Sequence, residues 1–139
     1  MASTDKGHPG YLDEPESRRL EFKERLPKGD HLARTAIAFA NGAGGKIILG
    51  VKDSPREIIG IPEDQLFSLE ERVNSSIFDQ CAPAIVPEVY LQSANGKTLL
   101  VVEIFPGSNK PYYLNSKGKR EGTYVRVGST NRKASLEMI

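Results

Sequence analysis

The chain has 139 residues, of which 38% are hydrophobic and 27% charged, and its formal net charge is +1. This length and balance predict one folded domain and exclude a fibrous or low-complexity chain. No run of about 18 apolar residues is present, and the polar start lacks the apolar stretch of a signal peptide, so we expect a cytoplasmic protein. Cys81 is a single cysteine, which excludes an intrachain disulfide and predicts a small buried residue.

The N-terminal part divides into an arm and a first strand. The first ten residues are polar and include Gly7, Pro9 and Gly10, which predicts a flexible arm over residues 1–14. The folded domain is then expected to cover residues 15–133. Polar and apolar residues alternate over residues 19–24, which predicts a half-buried strand with Glu21 and Lys23 on its exposed face.

The first helix and the loop after it come next. Asp30 is a candidate N-cap for a helix that stops at Asn41-Gly42. The glycine-rich loop over residues 41–46 has the composition of a phosphate cradle, but it leaves a helix and enters a strand, which is the reverse of a P-loop. Since Lys46 is followed by Ile47 and not by a serine or threonine that would hold magnesium, the loop is predicted to be a helix stop.

The middle of the chain predicts a central strand and a second helix. Residues 46–51 are almost all apolar, as in a strand covered on both faces, and Asp53 follows its end. Residues 57–60 are expected to return beside that strand. An apolar stripe at helical spacing predicts a helix over residues 63–80.

The C-terminal half predicts two strand pairs. Asn95-Gly96 favours a tight turn between strands at 89–93 and 98–105. Strands at 112–114 and 122–127 are expected to pair through a basic tip at 116–121. Residues 134–139 have the composition of a helix that begins there, or of a linker. Together these elements predict an α/β (α+β) fold with a mixed, largely antiparallel sheet and two main helices.

Basic residues are concentrated near the C-terminus. From residue 107 onward the only acidic residues are Glu121 and Glu137, whereas the basic ones are Lys110, Lys117, Lys119, Arg120, Arg126, Arg132 and Lys133. Such a cluster suits either phosphate neutralisation or an ordinary solvated surface, and the sequence leaves both open.

Six motifs in order carry a family resemblance: ESRRLEFK at 16–23, AFANGAGG at 38–45, ILGVKD at 48–53, IIG at 58–60, KPYY at 110–113 and YVRVGS at 124–129. The set resembles the Schlafen-type AlbA-like domain. That resemblance implies an N-terminal module of larger proteins labelled transcriptional regulators or RecG-related helicases, some of which carry an ATP-binding label. It also implies contact with DNA or RNA, for which the candidate residues are Lys23, Lys110, Lys119, Arg120, Arg126, Arg132 and Lys133.

The vertebrate Schlafen proteins imply a second function. Their related domain resembles a metal-dependent ribonuclease with three carboxylates, which by motif position match Glu16, Glu21 and Asp53. Such carboxylates would be both catalytic residues and ligands of magnesium or manganese. The chain departs from the family pattern at Lys52, which stands where an acidic residue often precedes Asp53, and it supplies one lobe where the vertebrate enzymes build their groove from two.

Three hypotheses therefore stand: a nucleic-acid-binding module, a metal-dependent nuclease, and an ATP-binding or protein-interaction module. For the last, a homodimer could form through residues 99–102 if they lie at a sheet edge. His8 and His31 have no second metal ligand at a useful spacing and are expected to face solvent or cap a helix.

Overall fold

The structure is a computed structural model that describes residues 10–135 and 137. Its helices and strands in chain order are β1 (Leu20–Lys23), α1 (His31–Asn41), β2 (Gly45–Leu49), β3 (Val51–Lys52), β4 (Glu57–Ile58), α2 (Leu66–Gln80), β5 (Cys81–Ala82), β6 (Glu88–Ala94), β7 (Lys97–Ile104), β8 (Tyr113–Leu114), α3 (Gly118–Gly122), β9 (Tyr124–Val127) and β10 (Thr130–Lys133). Two 3-10 turns, Gly10–Asp13 and Glu63–Gln65, complete the list. The predicted mixed α/β fold with a largely antiparallel sheet is confirmed, and α3 is a short third helix that the sequence did not predict.

The main sheet has four strands in the order β1, β2, β7, β6. β1 and β2 run parallel and are joined by α1, whereas β7 is antiparallel to both of its neighbours. A parallel pair needs such a crossover connection, and α1 therefore packs on one face of the sheet. β2 is an interior strand, and its residues Ile47, Ile48 and Leu49 are buried, which confirms the predicted central strand.

The loop after α1 is a helix stop, as predicted. The backbone N–H groups of Gly42 and Gly44 both donate to the carbonyl oxygen of Phe39, at 3.0 and 2.9 Å. Gly44 has a φ of +81°, and a Cβ there would lie 2.7 Å from the carbonyl oxygen of Ile104. Only glycine fits this close approach between the loop and the end of β7.

The N-terminal boundary differs from the prediction. Residues 10–14 were assigned to the flexible arm, but Leu12 in the turn Gly10–Asp13 is only 3% exposed. The hydroxyl group of Tyr11 donates to Oε1 of Gln92 on β6 at 2.8 Å. The arm prediction is therefore wrong for this segment, because one leucine and one tyrosine suffice to pack it on the sheet. Residues 1–9 lie outside the described part of the chain.

The second predicted strand pair is also wrong. β8 pairs with β5 and β9 pairs with β10, and a single bridge between Tyr113 and Thr123 is what remains of the expected pairing. The basic tip forms α3 instead. β5 and β8 have only two residues each, which is too short to show a period, so their pairing is set by packing. The partner of β9 is the four-residue strand β10, which the sequence did not predict. Of the predicted C-terminal helix, residues 136, 138 and 139 lie outside the described residues.

Two further observations bear on the sequence predictions. Residues 99–102 lie in β7, which like β2 is an interior strand of the sheet. All four residues are buried, so they form no exposed edge for a dimer. Cys81 is buried at 4% exposure, as predicted. Within residues 10–135, the helices are too short or too polar to cross a bilayer.

Candidate functional site

Glu21 on β1 forms a buried ion pair with Arg126 on β9. Nη1 of Arg126 donates to Oε1 of Glu21 at 2.6 Å, and the two side chains are 1% and 6% exposed. The alternating pattern predicted an exposed Glu21, and that prediction is wrong because the side chain of Arg126 reaches from β9 and pairs with this carboxylate.

Arg126 uses its remaining donors within the fold. Its guanidinium donates to the carbonyl oxygens of Ser17 and Leu20 and to Oδ1 of Asn131, and it lies over the ring of Phe39. The sequence predicted Arg126 as a nucleic-acid contact. The structure gives it an interior role instead, which is to join β1 to β9 and β10.

Two more groups contact the other oxygen of Glu21. Nε2 of His31 lies 3.3 Å from Oε2, and Nζ of Lys23 lies 3.5 Å from it. Burial alone would raise the pKa of Glu21, but the hydrogen bond with His31 and the positive charge of Arg126 outweigh burial and lower the pKa to about 2. Glu21 is therefore ionised and fully paired at neutral pH.

Glu16 and Asp53 are held separately. Oε2 of Glu16 accepts a hydrogen bond from the backbone N–H of Phe22 at 2.9 Å. Burial raises the pKa of Glu16, and the negative charges of Asp53 and Glu21 raise it further. Oδ1 of Asp53 lies 3.6 Å from Nη2 of Arg56. The three predicted carboxylates thus share one electrostatic environment, and each already has a protein partner.

The three carboxylates do not form a metal site as they are arranged. Within the described part of the chain, no group of three or more His, Cys, Asp or Glu side chains converges closely enough to hold a metal ion. A magnesium or manganese site needs several oxygen ligands around one point, and Glu21 directs its oxygens to Arg126, His31 and Lys23. A divalent ion would therefore have to displace at least one of these cations before Glu21 could bind it.

A cavity of about 340 Å³ brings together Glu16, Glu21 and the first turn of α1. Asp53 is not among its lining residues, whereas His31, Arg34 and Asn131 are. Sequence reasoning missed these three. The available signal was topological, because a helix that follows β1 in a crossover begins beside the end of that strand. Asn131 gave no signal, since β10 was not predicted.

Asn41 is a second residue that sequence reasoning missed. Its Nδ2 donates to the carbonyl oxygens of Tyr112 and Tyr124, both at 2.9 Å, and its Oδ1 accepts from the N–H of Tyr112 at 2.7 Å. The end of α1 therefore holds the segment before β8 and the start of β9. Lys110 lies in the same region, where its Nζ is 3.4 Å from the carbonyl oxygen of Gly42.

The remaining basic residues lie on the surface around α3 and β10. Glu121 forms an ion pair with Lys133, and the pKa of Glu121 is lowered first by Lys133 and further by Arg120 and Lys117. Lys119 and Arg132 are exposed on the same two elements. We call this surface the basic face, and it consists of Lys117, Lys119, Arg120, Arg132 and Lys133. Lys23 lies apart from it, 33% exposed and paired with Glu21.

Residues 16–135 match the family model described as Schlafen, AlbA_2. The chain belongs to this family. The match covers nearly all of the described residues, so the AlbA_2 domain comprises the whole sheet, the three helices and the basic face.

Three relatives place the AlbA_2 domain among larger proteins. A Nitrosomonas europaea protein is described as related to the ATP-dependent DNA helicase RecG, and its N-terminal domain has a solution structure. That structure matches with a TM-score of 0.65 and 32% identity, over 91% of this chain and 92% of that one. An uncharacterized ATP-binding protein of Ureaplasma parvum serovar 3 is 39% identical over 79 residues, which is 55% of this chain and 22% of that protein. A Corynebacterium diphtheriae crystal structure shares the fold, with a TM-score of 0.58 and 20% identity, over 84% of this chain and 22% of that one.

Proposed function

We propose that this AlbA_2 domain is a nucleic-acid-binding module that contacts phosphates through the basic face. The observation that carries the proposal is the local charge: five exposed cations lie on or next to α3 and β10, where Glu121 is the one carboxylate of these two elements, in a chain whose net charge is only +1. Clustered lysine and arginine side chains release condensed counterions when they neutralise phosphates, and this release drives binding. Lys110 extends the positive surface towards the end of α1.

The relatives support a role within a larger protein. The Nitrosomonas protein is described as related to a DNA helicase, and the Ureaplasma relative extends well beyond the part that aligns here. We infer that the domain grips nucleic acid for a helicase-related or transcription-regulating protein, with the effector chemistry in other domains.

A charge-reversal pair tests the basic face. Lys119→Glu/Arg120→Glu should weaken binding of a labelled oligonucleotide by about tenfold or more at low salt, because two phosphate contacts become repulsive. The matched control is Lys28→Glu/Arg72→Glu, which makes the same charge change at exposed residues away from this face. Fluorescence anisotropy with DNA and RNA, single-stranded and duplex, measures the affinities.

Three outcomes are distinguishable. Weaker binding in the α3 variant alone supports the basic face. Equal weakening in both variants would show that only total charge matters, and undetectable binding by the wild-type domain at low salt would overturn the proposed function.

Hydrolysis of nucleic acid is the second candidate, favoured by the position of Glu16 beside Glu21 in one cavity and close enough to Asp53 for its negative charge to raise the pKa of Glu16. If it is correct, manganese or magnesium should stimulate cleavage of an RNA or DNA substrate, and Asp53→Asn should reduce the rate by at least about a hundredfold. Glu57→Asn is a control at a nearby exposed carboxylate. Equal cleavage by the wild type and Asp53→Asn would reject the nuclease.

ATP binding is a property given to the Ureaplasma relative, and we do not transfer it to the glycine loop. The N–H groups of Gly42 and Gly44 already donate to Phe39, and that of Lys46 donates to the carbonyl oxygen of Arg19 at 2.9 Å. A phosphate cradle needs such N–H groups unpaired and directed at the ligand.

A further inference from the structure

A groove beside the glycine-rich loop at residues 41–46 was not predicted from the sequence. It has a volume of about 550 Å³ and lies between the residues before β1, the loop after α1 and the end of β7. Cavities of this size accommodate ligands with one or two rings. Glu16, Glu21 and Asp53 do not line this groove, and neither do the residues of the basic face.

The groove carries positive charge that the fold does not use. Arg18 and Arg19 line it, both are exposed, and neither forms an ion pair with any carboxylate of the described residues. Lys46 adds a third cation, whose Nζ lies 4.7 Å from the ring centroid of Tyr11. Glu14 and Glu103 also line the groove, and Glu103 accepts a hydrogen bond from the hydroxyl group of Tyr90.

An exposed aromatic ring borders the same groove. Phe105 is 54% exposed, although it directly follows a strand whose apolar residues are buried. Its backbone is held in place, because the loop at Gly44 packs directly on Ile104 and Pro106. A fixed, exposed ring beside unpaired guanidinium groups suits a ligand that carries both a flat aromatic group and a phosphate.

We propose that this groove binds the unpaired bases of single-stranded nucleic acid, with Phe105 as a stacking surface and Arg18 and Arg19 as phosphate contacts. This inference rests on the proposed function and extends it by naming the substrate class. Bases in a duplex already stack on one another, whereas unpaired bases expose their faces to an aromatic side chain. The domain should therefore prefer single strands to duplexes of equal length.

Replacing the ring tests the stacking surface. Phe105→Ala should weaken binding of a single-stranded 12-mer by about 5- to 100-fold, which is the range for loss of one base–aromatic stack, and should change duplex binding by less than about twofold. Phe78→Ala is the matched control, since Phe78 on α2 is 53% exposed and lies outside the groove. Arg18→Ala/Arg19→Ala should also weaken single-strand binding, against Lys28→Ala/Arg72→Ala as its control.

The same anisotropy titrations distinguish the possible failures. If Phe105→Ala matches Phe78→Ala while Lys119→Glu/Arg120→Glu still weakens binding, the groove is rejected and the basic face stands. If the wild type binds neither single strands nor duplexes, the proposed function itself fails. A free mononucleotide that competes as well as the 12-mer would overturn the assignment to a strand, and competition at least about tenfold weaker supports it.

Discussion

The surroundings of Glu21 could be predicted only in part from the alternation of polar and apolar residues around it. The alternation around it correctly placed a strand at Leu20–Lys23. It could not show that Arg126, 105 residues further along the chain, would cover the face assigned to solvent. A long-range ion pair leaves no periodic signal in either segment, so the carboxylate looked like a free metal ligand.

The ion pair makes stability depend on pH in a definite direction. The pKa of Glu21 falls from 4.5 to about 2 in the folded state, so its stabilising effect is complete above pH 4.5 and is lost as the pH falls towards 2. That effect is about 3 kcal/mol, and the raised pKa of Glu16 opposes part of it. Glu21→Gln should therefore unfold more easily than the wild type at pH 7 and show a flatter pH profile.

Urea unfolding followed by circular dichroism at pH 7, 4.5 and 2.5 measures this effect. Glu71→Gln, at an exposed position on α2, should keep the wild-type profile. A Glu21→Gln profile parallel to that of the wild type would contradict the assigned pairing.

Among the secondary-structure elements, local turn chemistry decided which predictions were correct. Asn95 and Gly96 have φ angles of 52° and 74°, as the tight turn between β6 and β7 requires, and this hairpin was predicted correctly. β8 and β9 have no such turn between them, and their positions depend on β5, β10 and the side chain of Asn41. β5 and Asn41 are distant in sequence, and β10, which follows β9 after only two residues, was not predicted, so the strands were recognised but wrongly paired.

Asn41 should therefore be important for the C-terminal half. Asn41→Ala removes three hydrogen bonds that join α1 to the backbone of Tyr112 and Tyr124, and we expect it to lower the free energy of unfolding by about 2–4 kcal/mol. Asn74→Ala is the control, because Nδ2 of Asn74 bonds only within α2 and its loss should matter by less than about 1 kcal/mol. Chemical denaturation measures the free energy of unfolding of both variants. An equal decrease in the two would contradict the role of Asn41 in holding the C-terminal half to α1.

At the scale of the whole molecule, nearly equal numbers of opposite charges are distributed unequally. Acidic groups near β1 are paired with Arg126, Lys23 and Arg56, while the basic face has one carboxylate among five cations. Because of this unequal distribution, the salt dependence of nucleic-acid binding is a second way to test the basic face by fluorescence anisotropy. The logarithm of affinity should fall linearly with the logarithm of salt concentration, and Lys119→Glu/Arg120→Glu should reduce that slope by about 2.

The fold class, the strands β1, β2, β6 and β7 and the basic C-terminal region were all accessible from the sequence. The surroundings of the carboxylates were not, because they depend on contacts with residues distant in sequence, such as that of Glu21 with Arg126 on β9. The family resemblance supplied the motif positions of Glu16, Glu21 and Asp53, but the spacing of these motifs carries no information on which cations lie between them.

The contacts of Arg56 have a practical consequence for where the domain can be cut. Its guanidinium donates to the carbonyl oxygens of Leu12 and Glu14, lies over the ring of Phe22 and pairs with Asp53. The family match begins at residue 16, so a chain trimmed to that boundary would lose Tyr11 and Leu12 and uncover part of the apolar cluster that includes Leu20, Phe22 and Val51. A shortened version of the domain should therefore begin before Gly10.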